Sequence, residues 1–240
     1  MFRYIGATAL FVALICLVFA PAGLLRHFVS DVPGLHVVSP KGTLWSGAGG
    51  IIVQGEQIGS AEWSLQPLSL FAFELAWEVR FSGRDATLHG DVRISPGTLR
   101  GKASGVIGVD AINYTLAPWD TRIESPVSVE HLEATFEDQS LTMLDGQLTW
   151  PGGATSWLMD GGTSNATLPP MTAVLSSQDA TLSGLMVPVD GQIPVVQVTL
   201  APDGALTVKI SKLLTRLVGR PWPGSDPDHA IVVEMVDDVF

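Results

Sequence analysis

Phe73-Glu74-Leu75-Ala76-Trp77-Glu78-Val79-Arg80-Phe81 carries a large apolar side chain at every odd position. Glu74, Glu78 and Arg80 fall between them. Successive side chains of an extended strand point to opposite faces, so a period of two with one polar and one apolar face reads as a half-buried antiparallel strand. The same alternation recurs along the chain. Leu88, Val92 and Ile94 alternate with His89, Asp91 and Arg93. Leu132, Ala134 and Phe136 alternate with Glu133 and Thr135. Val196, Val198 and Leu200 form another set, Leu206, Val208 and Ile210 the next, and Ile231, Val233 and Met235 close the series. Glycine followed by a small or polar residue and an aliphatic one marks many of these runs: Gly42-Thr43-Leu44, Gly90-Asp91-Val92, Gly146-Gln147-Leu148, Gly191-Gln192-Ile193 and Gly204-Ala205-Leu206. Each glycine is expected to supply a turn or bulge at the start of a strand.

Two segments depart from the β pattern. Tyr4 to Leu25 holds no charged residue, and some twenty residues at about 1.5 Å each span a hydrocarbon core of about 30 Å. Arg3 precedes the segment and Arg26 and His27 follow it. All 24 acidic residues lie after Ser30, whereas the 13 basic residues include Arg3 and Arg26. This bias favours an internal amino terminus and an external bulk. The alternative is a cleaved signal peptide, for which Ala20-Pro21-Ala22 offers a small-x-small site, but the apolar run outlasts a usual signal core of about 7–15 residues. The division expected is therefore a cytoplasmic 1–3, a transmembrane anchor 4–25 and an exported β-rich domain 26–240. The second departure is Ile210, Leu213, Leu214, Leu217 and Val218, spaced for a helix that Gly219 and Pro221 end. Lys209, Lys212, Arg216 and Arg220 lie three and four residues apart there. They read as the solvated side of a helix that caps the sheet, or alternatively as a stripe facing lipid headgroups or an acidic partner.

Composition closes off several function classes. The chain has 240 residues and a formal net charge of −11. An acidic surface repels phosphate backbones, which argues against nucleic acid. Cys16 is the single cysteine and lies in the apolar segment, so neither an internal disulfide nor a cysteine-based zinc site is available. The five histidines have no metal-ligand spacing, and the acidic Asp226-Pro227-Asp228-His229 stretch reads as a solvated loop. No G-x-S-x-G elbow and no phosphate-binding G-x-x-x-x-G-K-[ST] loop occurs. The expectation is a non-enzyme with no cofactor, no metal and no catalytic residues.

Gly42-Thr43-Leu44-Trp45-Ser46-Gly47, followed by Trp63-Ser64-Leu65-Gln66-Pro67-Leu68-Ser69-Leu70, resembles the opening signature of type II secretion system protein N. Gly146-Gln147-Leu148-Thr149-Trp150 and the C-terminal order are also similar to that family: an Ala201-Pro202-Asp203-Gly204 hairpin, a helix over Lys209 to Leu217, Gly219 and a last strand. Short G-x-L-x-W strands are shared with AsmA-like envelope proteins. The resemblance implies a bitopic inner-membrane protein of a Gram-negative bacterium that accompanies the machine exporting folded proteins across the outer membrane. Its partners would be other secretion components in the inner membrane and periplasm, with the AsmA-like alternative being a lipid-handling groove. The family supplies no catalytic residues. Candidate signature or interaction positions are Gly42, Thr43, Leu44, Trp45, Gly47, Trp63, Pro67, Trp150, Lys212 and Arg216; Trp45, Trp63, Trp77 and Trp150 read first as core and sheet-corner residues and second as contact points. The fold expected is mainly β: one transmembrane helix, then a curved antiparallel sheet, groove or sandwich with one C-terminal helix.

Overall fold

A computed structural model describes residues 20–24, 35–53, 55–137, 140–159 and 162–238. Most of the segment expected to be the anchor, 4–25, lies outside the described residues, and among those described no helix is long and apolar enough to cross a membrane. The expected wealth of strands is present. Sixteen follow in order: β1 Leu35–Gly42, β2 Ser46–Val53, β3 Glu56–Leu65, β4 Leu75–Gly83, β5 Ala86–Ser95, β6 Thr98–Ile107, β7 Arg122–Ile123, β8 Val127–Glu137, β9 Ser140–Trp150, β10 Gly153–Met159, β11 Gly162–Leu168, β12 Met171–Gln178, β13 Thr181–Pro188, β14 Val196–Leu200, β15 Ala205–Ser211 and β16 Ile231–Asp238. Two α-helices join them, α1 Val109–Leu116 and α2 Lys212–Leu217.

Thirteen strands form one antiparallel sheet in the order β1-β2-β3-β4-β5-β6-β8-β9-β12-β13-β14-β15-β16, and β11-β10-β7 form a small second sheet. The large sheet is a meander that omits only β7, β10 and β11. Short connections make neighbours of consecutive strands, because two-residue turns suffice for antiparallel pairing. At the β12–β13 hairpin, Asp179 and Ala180 both take left-handed φ (50° and 60°), as the two central residues of a tight hairpin require.

The chain divides into two compact units, residues 1–84 with 89–94 and residues 85–88 with 95–240. In the first, β2 pairs β1 and β3, and β3 pairs β4, with Trp63 opposite both Gly47 and Val79. Leu75 to Phe81 lie in β4 as read from the sequence, but their odd residues are only half-buried, and Phe73 lies outside the strand. It precedes β4, takes a left-handed φ of 57° and is exposed. The buried residue of that strand is the small Ala76.

In the second unit the core is Met171, Val195 and Leu213, with Trp150, Leu168, Ile193, Val196, Leu214 and Leu217 packed around it. Helix α2 thus lies against β11 and β15, and its Leu213, Leu214 and Leu217, read from the helical spacing, join the cluster around Met171 and Trp150. It begins three residues later than expected, since Lys209, Ile210 and Ser211 belong to β15. Its first amides are satisfied by the returning chain, Lys212 N donating to Ala230 O at 2.8 Å and Leu213 N to Asp228 O at 3.0 Å. Gly219, at φ 75°, ends it as expected.

Helix α1 is absent from the sequence reading. Its eight residues are too few for a clear apolar period, and tertiary partners hold it. Asp110 N donates to Asp85 Oδ2 at 2.6 Å. The Asn113 side-chain amide imitates a strand neighbour, accepting from Ile123 N at 2.8 Å and donating to Ile123 O at 2.9 Å. The glycine rule also needs correction. Of the five glycines named for it, only Gly204 directly precedes a strand. Gly42 closes β1, Gly90 and Gly146 lie inside β5 and β9, and Gly191 lies in a connection. A glycine inside a strand serves close approach as readily as a turn.

Candidate functional site

The signature stretch Gly42–Gly47 is the link between β1 and β2, and its geometry explains its residues. Gly42 turns the chain out of β1 at φ 87°, a conformation disfavoured for any residue with a Cβ. Thr43 closes the turn. Its amide donates to Ser46 O at 2.9 Å, and its Oγ1 accepts from the amides of Ser46 and Trp45 at 3.1 and 3.3 Å. The three carbonyls that a link of this kind leaves without sheet partners are then taken in turn. Trp63 Nε1 donates to Thr43 O at 3.1 Å, Trp77 Nε1 donates to Leu44 O at 3.1 Å, and Leu65 N donates to Trp45 O at 2.6 Å. An indole has one N–H and no acceptor, so each tryptophan fits one orphan carbonyl while its ring covers apolar surface.

Gly47 completes the joint. A Cβ there would meet Lys41 O and come within 2.7 Å of the Trp63 ring. The absent side chain is therefore the space the indole occupies. Gly42-Thr43-Leu44-Trp45-Ser46-Gly47 and Trp63-x-Leu65 are two halves of one joint rather than separate motifs. Pro67 stands at the start of the 3-10 turn Pro67–Ala72, just beyond it, and is exposed.

A third segment enters this joint, and no pattern in the sequence announces it. Leu44 N donates to Ala20 O at 2.8 Å, Pro21 bridges Thr43 in antiparallel fashion, and Ala20 and Ala22 are buried. Ala20-Pro21-Ala22, read above as an alternative cleavage site, is built into the β-domain. Its two alanines are buried, while Pro21 is exposed.

One open cavity of about 430 Å³ adjoins the joint, lined by Lys41, Ser46, Glu62, Trp63, Ser64 and Glu78 among others. Arg80 also faces it and pairs with Glu78 at 2.7 Å. Charges of both signs and two serines line it, with no histidine. Among the described residues no group of three or more His, Cys, Asp or Glu side chains converges as a metal site.

The other candidate positions lie in the second unit. Trp150 donates from Nε1 to Ser125 O at 3.3 Å, and Ser125 Oγ donates to Gly152 O at 2.7 Å. Its ring joins the Met171 core. Lys212 departs from the solvated stripe expected of it, whereas Arg216 is exposed. Lys212 is only 9% exposed and donates from Nζ to Gly224 O at 2.6 Å. Arg216 pairs with Asp228 at 2.7 Å, and Lys209 with Glu234 at 3.3 Å. The chain segment 224–234 returns over α2 and supplies these partners, which helical spacing alone does not reveal. Lys212 is turned inward, whereas Arg216 stays exposed beside its partner.

A family model described as "Type II secretion system (T2SS), protein N" matches residues 33–220. The chain belongs to the type II secretion system protein N family. The match contains the whole Gly42–Gly47 joint, both tryptophans that lock it, Trp150 and helix α2. No curated protein and no solved structure matches the chain significantly. Membership associates this protein N chain with type II secretion and, at that level, with other components of the secretion system.

Proposed function

We propose that this chain is a non-catalytic accessory of the secretion machine, held in the inner membrane by the apolar segment that precedes Ala20, with its β-domain in the periplasm. The observation that carries the reading is the docking of Ala20–Ala22 into the signature joint. The end of the apolar segment is a structural part of the β-domain, as suits an anchor that stays attached. A cleaved leader has no reason to be hydrogen-bonded into the fold it leaves. Its partners are then membrane and periplasmic components of the same machine.

A second reading is lipid handling by an apolar sheet face. Val174 and Leu185 lie directly opposite each other on β12 and β13 and are both exposed, as are Leu99 and Val106 on β6. Soluble proteins seldom leave large contiguous apolar surface open without use.

Deleting the gene in its native host and comparing culture supernatant with periplasm separates these readings. Periplasmic retention of normally secreted proteins, reversed by the complementing gene, supports the accessory role. Unchanged secretion with an altered envelope lipid profile favours lipid handling and removes the first reading.

A further inference from the structure

The segment after β3 is built in an unusual way. Gln66-Pro67-Leu68-Ser69-Leu70-Phe71-Ala72-Phe73 contains no charged residue. Its base is pinned at the sheet. Gln66 N donates to Ala76 O at 2.7 Å, Ser69 Oγ donates to Gln66 O at 2.7 Å, and the same hydroxyl accepts from Ala76 N at 3.2 Å. Glu74 N donates to Ser69 O at 3.2 Å. From this fixed base, Leu68, Phe71 and Phe73 project with 78, 84 and 91% of their surface exposed. Phe73 does so from a left-handed φ of 57°, a conformation that a bulky residue enters only when its surroundings impose it. Three large apolar side chains are thus held outward by a braced loop. Isolated exposed apolar residues need no explanation, but three on one short turn make a patch.

The position of the loop identifies what it meets. Ala20 O accepts from Leu44 N, the next carbonyl, that of Trp45, accepts from Leu65 N, and Gln66 begins the loop. The exit of the apolar segment and the base of the loop therefore stand at the same end of β2, β3 and β4, joined through one hydrogen-bonded link. Leu24, in the 3-10 turn Ala22–Leu24, is exposed there as well.

We infer that the Pro67–Phe73 loop is a membrane-interface finger, inserting Leu68, Phe71 and Phe73 into the outer leaflet of the same bilayer that holds the apolar segment preceding Ala20. Aromatic and aliphatic side chains on an uncharged turn suit the boundary between headgroups and acyl chains. An anchor and a finger together fix the tilt of the first unit on the membrane, where a tether alone lets it swing. This rests on the anchor proposed above.

The test uses the full chain in phosphatidylcholine–phosphatidylglycerol vesicles. Cys16→Ala removes the native thiol, and Phe71→Cys or Glu56→Cys carries an environment-sensitive fluorophore. Position 71 is already solvent-exposed, so labelling it disturbs no core. Glu56 starts β3, at the opposite end of that strand. The expected result is flotation of both proteins, a blue shift at position 71, and loss of its emission with lipids carrying a nitroxide near the headgroup, with neither change at position 56. Flotation with position 71 still in water overturns the finger and leaves the anchor standing. Equal quenching at both positions also overturns it, because contact is then not confined to this end. Failure to float removes the anchor and the finger together.

Discussion

Trp63→Phe isolates the hydrogen bond by which the signature joint is locked. Phenylalanine keeps much of the buried ring area but has no N–H, so Thr43 O loses its donor at 3.1 Å. Trp63 is 9% exposed and the site is crowded by Gly47 and Lys41 O, which leaves little room for a replacement water. An acceptor left unpaired in such a site costs about 1–3 kcal/mol. Trp63→Ala removes the ring as well, and deletion of a buried large aromatic costs about 3–5 kcal/mol. The two variants should therefore differ by roughly 2 kcal/mol, with Trp63→Phe the milder. Urea unfolding of the full chain in detergent, followed by circular dichroism, measures the stabilities. Amide exchange at Leu44 and Leu65 reports opening of the joint itself. A Trp63→Phe protein as stable as the native one, with unchanged exchange at both amides, would falsify the assignment of the indole N–H as a lock. A Trp63→Phe protein as damaged as Trp63→Ala would show that ring shape, not the hydrogen bond, carries the effect.

Other outcomes follow from the same geometry. Gly47→Val should destabilise the first unit by at least about 1–3 kcal/mol, since the added carbons overpack against Trp63; a midpoint equal to that of native protein in the same urea titration would contradict the close approach. Met171→Ala, in the core of the second unit, should cost about 2–5 kcal/mol, and a loss under 1 kcal/mol would mean that the site collapses to fill the void or is not a core. Lys212→Ala and Arg216→Ala should separate clearly. The exposed Arg216–Asp228 pair is worth about 0–1 kcal/mol, whereas the buried lysine takes with it a charge-assisted bond to Gly224 O of about 1.5–3 kcal/mol. Equal losses in thermal melts would reject the inward orientation of Lys212. Asn113→Ala removes both bonds that tie α1 to β7, and faster amide exchange at Ile123 is the expected result, unchanged exchange the refuting one.

The strands were legible because their signal is local. Alternating apolar and polar residues write a period of two into Leu75–Phe81, Leu132–Phe136 and Val196–Leu200, and each of these runs lies in a strand, but burial does not follow the alternation: Ala76 and Thr135 are buried while Phe136 is exposed. Helix α2 was legible for the same reason, with its start misplaced because Lys209 and Ile210 satisfy the strand period and the helix period at once. The family was legible too, in Gly42–Gly47 and Trp63–Leu70, within the matched region. The purpose of those residues was not. A tryptophan's sequence position does not tell which carbonyl its N–H will meet, and Trp77 reaches Leu44 O across 33 residues. Lys212 read as solvated because its spacing describes only its own helix, while the chain that buries it returns from residues 224–230. Ala20-Pro21-Ala22 read as a leader site because small residues suit both a protease and a tight backbone contact. Local periodicity and motif spacing thus determined strands, helix and family. Which orphan donors and acceptors are paired across distant segments is a property of the assembled fold, and only the tertiary structure decided it.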